Sequence, residues 1–96
     1  MKADKDIQVK IYQMTGRTGR PIANQYELYT QKGRYFQSYQ TIIVFVDNKG
    51  QVYLDENKWD YSRTTSKYRN QFLGENTKET QKKIDKGIHI LTDLNC

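Results

Sequence analysis

Cysteine is almost missing from this chain. Its single copy, Cys96, is the last of 96 residues, so no internal disulfide can form and no Cys-rich metal site can be built. That usage fits a reducing compartment. Histidine is equally scarce. His89 has no second histidine to work with, which removes the usual zinc ligand sets and the histidine-relayed nucleophiles and leaves a structural histidine as the expectation. Long apolar runs are lacking too. The longest, Ile42 to Val46, falls far short of the roughly 20 residues that span a bilayer, and the opening Met1 to Asp6 leads into no apolar signal core. No membrane contact is expected, and the expected location is the cytosol of the cell that makes the protein.

What the chain does carry is positive charge and tyrosine. Sixteen Lys and Arg oppose eleven Asp and Glu, for a formal charge of +5, and eight residues are tyrosine. At this length a chain buries about two-thirds of its unfolded surface, enough for one core, so residues 1–96 read as a single domain.

Periodicity then sets out the elements. Ile7 to Tyr12 alternates as a strand, with Ile7, Val9 and Ile11 expected on the buried side. Thr15 to Pro21 holds two glycines and the only proline, and reads as an exposed loop bearing Arg17 and Arg20. Asn24 to Thr30 alternates again before a turn at Gln31 to Arg34. Tyr35 to Val46 is the most strand-like stretch, and its end is apolar on both sides, as a central strand covered by helix would be. Asp47-Asn48-Lys49-Gly50 is a hairpin turn, with Gln51 to Asp55 as the returning strand. Tyr61, Thr65, Tyr68 and Phe72 then recur at helical spacing, and Gly74 supplies a stop. Asn76 with Glu79 forms a capping box for a second, mostly solvent-facing helix that Gly87 ends. Ile88 to Thr92 closes the chain as a strand. The expected fold class is α+β, an antiparallel sheet of about five strands with two short helices packed on one face, in the order β-β-β-β-α-α-β.

Catalytic machinery is hard to assemble from these residues. Glu56-Asn57-Lys58 has the form of half a metal-dependent nuclease site, with Asp47 imaginable as the second carboxylate. The two acids flank one turn-strand unit with no reason to converge on a metal. Gly16 to Arg20 lacks the Gly-Lys-Ser/Thr ending of a phosphate loop. No catalytic residue, metal ligand or cofactor is therefore assigned, and the chain is read as no enzyme.

Binding is the better use of what is present. In Trp59-Asp60-Tyr61-Ser62-Arg63-Thr64-Thr65-Ser66-Lys67-Tyr68-Arg69-Asn70, bases and hydroxyls interleave with aromatics. On a helix, Arg63, Lys67 and Asn70 share a face opposite Tyr61, Tyr68 and Phe72, a cationic stripe that could hold phosphates while exposed rings stack on bases. The plainer reading makes Trp59, Tyr61, Tyr68 and Phe72 the face that covers the sheet, with Arg63, Lys67 and Arg69 on its solvated side. Candidate binding residues are Arg17, Arg20, Arg63, Lys67, Arg69 and Asn70, joined by Tyr35 and Tyr39. These two tyrosines, with Tyr12 and Tyr29, sit where they could face out of the sheet and anchor an interface.

The segments Phe36 to Tyr39, Ile42 to Val44, Val52 to Asp55, Trp59 to Gly74 and Leu91 to Asn95 together resemble a domain recurrent among small proteins of tailed bacteriophages. The resemblance covers residues 36–95, leaves the first 30 outside, and brings no site residues with it. It implies a phage or prophage origin, and with it an accessory inhibitor of a host defence nuclease, of anti-CRISPR or anti-restriction type, acting in the host bacterial cytosol. The charge limits the mechanism, because an inhibitor that mimics DNA needs a strongly negative surface. The expected partner is the nuclease or its nucleoprotein complex. The alternatives are direct binding of DNA or RNA and a structural or oligomeric role in the virion.

Overall fold

In the computed structural model, residues 9–95 are described. They form one six-stranded sheet: β1 (Lys10–Thr15), β2 (Pro21–Thr30), β3 (Gly33–Ser38), β4 (Thr41–Asp47), β5 (Val52–Asp55) and β6 (His89–Thr92), in spatial order β1 to β6. Helices α1 (Arg63–Leu73) and α2 (Thr77–Asp85) connect β5 to β6. The first five strands pair antiparallel, and β6 joins β5 in parallel. The sheet is thus mixed rather than antiparallel. A two-helix crossover carries the chain back to the starting end of β5, as a parallel pair requires.

The sixth strand comes from dividing Tyr35 to Val46. The chain reverses at Tyr39-Gln40, where Tyr39 takes a left-handed φ of 58° and its N–H donates to the Asn24 carbonyl at 2.7 Å. The turn contains no glycine, proline or asparagine, so its sequence lacks the usual turn signal. At Asp47–Gly50 the signal is present, and the turn forms as expected. The Asp47 carboxylate accepts from the N–H of Lys49 and of Gln51, and Gly50 adopts φ 89°.

Phe36, Ile43, Val44, Val46, Leu54, Met14 and Phe72 make the core. Phe36 stacks on Phe72 of α1 with centroids 5.8 Å apart, and Ser38 bonds Thr65 of α1 at 2.8 Å in a buried contact. These contacts fix the helix-covered face of the sheet. Ser62 caps α1 by accepting from the Thr65 N–H, and Gly74 ends it in the left-handed conformation. Asn76 and Glu79 form the capping box of α2.

The first strand departs from expectation. Ile7 lies outside the described residues, and Val9 and Ile11 are 49% and 62% exposed, whereas Met14 is buried. Alternation marked the strand correctly, but Ile11 lies in register with Leu28 and Tyr35 on the sheet face opposite the helices, so no helix covers it. Tyr61 likewise precedes α1 and is exposed, so the helical aromatic seam reduces to half-buried Tyr68 and buried Phe72.

Leu94 and Asn95 are tied to β4 and β5. Buried Asp55 accepts from the N–H groups of Asn57, Lys58 and Leu94 and from the Asn95 amide, while that amide also pairs with both backbone groups of Ile42.

Candidate binding site

The β1–β2 loop is closed by Gly19 N–H to Gly16 carbonyl at 3.0 Å and Gly16 N–H to Arg20 carbonyl at 2.9 Å, leaving Arg17 and Arg20 exposed. At the loop's base the Thr15 carbonyl accepts from the Gln71 side chain at 2.9 Å. Gln71 lies four residues beyond Lys67 and eight beyond Arg63, so all three occupy one side of α1, about 12 Å from end to end. Arg63 and Lys67 are exposed. The bond between Gln71 and Thr15 therefore sets the loop at the C-terminal end of this stripe. The side of α1 that bears Arg63 and Lys67 thus also holds the base of the Arg17/Arg20 loop, and these two adjoining segments, half the chain apart in sequence, make up a cationic ridge.

Beside the ridge lies a shallow groove of about 710 Å³, lined by Tyr61, Ser62, Arg63, Ser66, Lys67 and Asn70 among others. Two serines, two cations and the Asp60 carboxylate, which accepts the Ser66 hydroxyl, border it, and the Tyr61 ring carries the Lys58 ammonium 4.9 Å from its centroid.

Arg69 does not belong to this surface. It is fully buried, with its guanidinium 5.0 Å from the Trp59 ring centroid. Nη1 donates to the Trp59 carbonyl, to Asp60 at 3.2 Å and to Ser66 at 3.2 Å. Nη2 donates to Asn70 at 2.9 Å and to Thr77 at 2.8 Å. The residue expected on the solvated side instead binds the start of α1, its last turns and the start of α2 together. Asn70 is half-buried in the same network, at the floor of the groove.

The tyrosines divide between surfaces. Tyr39 is exposed at its turn, and Tyr35 is half-buried on the sheet face away from the helices, stacked on Phe45 at 4.5 Å. Tyr12 and Tyr29 meet edge to face at 5.5 Å on the other side, beyond the reach of the helices. The Tyr29 hydroxyl donates to Glu27, and that bond, with partial burial, raises its pKa.

His89 is buried on β6 with Nε2 3.0 and 3.2 Å from the Glu75 carboxylate oxygens, which also accept from Thr80 and Lys83. Burial alone would raise the Glu75 pKa, but the bonds from Lys83, Thr80 and His89 outweigh it and hold the carboxyl below its ordinary 4.5. This cluster joins the α1–α2 turn to β6. Among the described residues, no group of three or more His, Cys, Asp or Glu side chains could hold a metal ion, and no helix is long and apolar enough to cross a membrane.

A family model matches residues 9–87, nearly the whole described chain. The chain belongs to DUF8033, a family of unknown function. The match takes in β1 and β2 of the DUF8033 fold, which the resemblance over residues 36–95 left out, and stops before β6. No curated protein matches the chain, and no solved structure does.

Sequence reasoning missed the membership of the helix-free sheet face of this DUF8033 protein. Ile11, Leu28, Tyr35, Phe45, Tyr53 and Ile90 are successive register partners across all six strands. The apolar double-sidedness of Ile42 to Val46 is the available signal, and it reads equally as a central strand covered by helix.

Proposed function

We propose that this protein is a non-catalytic binding module whose cationic ridge docks on an anionic surface of a macromolecular partner. The observation that carries this reading is the Gln71–Thr15 bond, which ties the base of the Arg17/Arg20 loop to the side of α1 that bears Arg63 and Lys67. Four exposed cations in one strip serve electrostatic steering and recognition of acidic groups. In the finer reading, the chain is a phage-encoded inhibitor of a host defence nuclease, of anti-CRISPR or anti-restriction type, working in the host cytosol. Its resemblance to small phage proteins supports that reading. The positive ridge agrees with contact to the nuclease or its nucleoprotein complex and disagrees with DNA mimicry. The test is to mix the purified chain with the defence nucleases of its host. Co-elution with one nuclease and slowed cleavage by it are expected, and absence of both effects would end this reading.

Direct nucleic-acid binding is the second reading, favoured by the exposed Tyr61 ring and the Ser62 hydroxyl beside Arg63 and Lys67. Contacts from four cations would give a log–log salt slope of about −3 to −4 for free DNA or RNA. No shift at low salt would exclude it.

A further inference from the structure

Among the described residues, no helix lies on the sheet face opposite α1 and α2, and its inner residues Leu28, Tyr35, Phe45 and Tyr53 are half-buried. Its central row, Ile11-Leu28-Tyr35-Phe45-Tyr53-Ile90, crosses six strands in register. Phe45 lies at the middle, stacked on Tyr35 at 4.5 Å and on Tyr53 at 5.8 Å. Ile11 and Ile90 mark the two ends, 62% and 40% exposed. The next row is uncharged over β1 to β4, at Gln13, Tyr26, Gln37 and Ile42, and reaches β5 and β6 at buried Asp55 and at Thr92. A shallow concavity of about 670 Å³, lined by Ile11, Tyr26, Leu28, Gln37 and Tyr39 among others, lies at the β1 side.

We infer that this face is the interface of a homodimer, in which two copies stack sheet on sheet with their helices outward. Two properties select a second copy as the occupant. The first is charge. Each chain carries a formal +5, yet the central row holds no charged residue and the one carboxylate of the next row, Asp55, is buried, so two copies can meet here without like-charge contact. An acidic partner would find no counter-charge on it. The second is symmetry. The row runs aliphatic, aliphatic, aromatic, aromatic, aromatic, aliphatic from edge to edge. A two-fold axis lying between the sheets and along the strands therefore sets Ile11 on Ile90, Leu28 on Tyr53 and Tyr35 on Phe45, with no charged residue in the contact.

The area is sufficient. Six strands span about 29 Å, and same-face positions extend about 20 Å along them, so the footprint is about 600 Å² before side-chain relief is counted. That reaches the roughly 600 Å² per partner above which specific interfaces become stable. An aromatic centre with no charge is also the composition that interface cores share. Sheets packed face to face sit about 10 Å apart, and the aligned arrangement suits strands that all belong to one twisted sheet. The inference is independent of what the cationic ridge binds, since the dimer would carry one ridge on each outer side.

Light scattering on the full chain tests it. The expected mass is twice the 11.4 kDa of one chain, falling toward one on dilution through the range from about 1 mM to about 1 µM. Ile11→Lys with Ile90→Lys adds charge at the two rims without touching the core, and should weaken dimerisation at least about tenfold. Thr64→Lys with Gln81→Lys adds the same charge on the helices and should leave the mass unchanged. Methyl NMR of the unmutated chain gives a second readout, because signals of Ile11, Leu28 and Ile90 should shift on dilution. A monomer at every concentration overturns the inference. So does a dimer indifferent to Ile11→Lys with Ile90→Lys, or a mass that grows without limit.

Discussion

The guanidinium of Arg69 lies under the Trp59 ring, 5.0 Å from its centroid, and donates to the carbonyl of that same tryptophan. One buried cation thereby holds the entry to α1, and its other bonds reach Ser66, Asn70 and Thr77. Its ion partner, Asp60, is nearly half exposed, so carbonyl and side-chain oxygens share the compensation of the buried charge. Removing Arg69 leaves those acceptors unmatched. Arg69→Ala should cost about 3 kcal/mol in urea unfolding, and Arg69→Lys should recover only part, because one ammonium cannot reproduce a planar fork. Full retention of stability in Arg69→Ala would refute this role.

Helix and hairpin signals were legible in the sequence where local chemistry dictates structure: the Asp47–Gly50 turn, the Asn76/Glu79 box and the Gly74 stop all occur as expected. The misreadings share a different origin. Arg69 was placed on the solvent side because its type favours exposure, and only tertiary contacts with Trp59 and Thr77 overrule that preference. Tyr39 turns the chain because the Asn24 carbonyl meets its N–H across β2, a long-range bond with no local trace. Of the candidate binding residues, Arg17, Arg20, Arg63 and Lys67 were legible as cations, but their alignment depends on Gln71 reaching Thr15.

The Glu75 cluster sets a pH dependence. The folded-state pKa of Glu75 is depressed, so its contribution to stability is present above the ordinary 4.5 and is lost as pH falls through the folded value. Lys83 is raised above 10.5 by the hydrogen bond to Glu75, so its contribution is present below that value and is lost at higher pH. Thermal melts should therefore show no change from this pair between about pH 5 and 10, and a fall in Tm below pH 4.5. Glu75→Gln should lower Tm at neutral pH and flatten the acid limb. An unaltered acid limb in that variant would remove the cluster from the explanation.

Gly33 opens β3 at φ 146°, where a Cβ would fall 2.1 Å from the Val46 carbonyl oxygen and 2.9 Å from the Asp47 Cα. Both obstacles are backbone atoms of the neighbouring strand. Gly33→Ala must push β3 from β4 and should cost more than about 2 kcal/mol, with amide exchange accelerating at Val46 and Asp47. Gly50→Ala provides the contrast, since nothing lies within 4 Å of its Cβ and its positive φ is the sole obstacle. Equal losses in the two variants would contradict the steric account.

If Arg17, Arg20, Arg63 and Lys67 act as one binding surface, charge reversal on both its parts must disable it. Arg17→Glu with Lys67→Glu places one change in the loop and one on α1. Measured against the nuclease or nucleic acid that binds the unmodified chain, either single change should weaken affinity, and the pair should weaken it at least about tenfold, with the urea midpoint preserved. Affinity equal to that of the unmodified chain in the double variant would contradict the account.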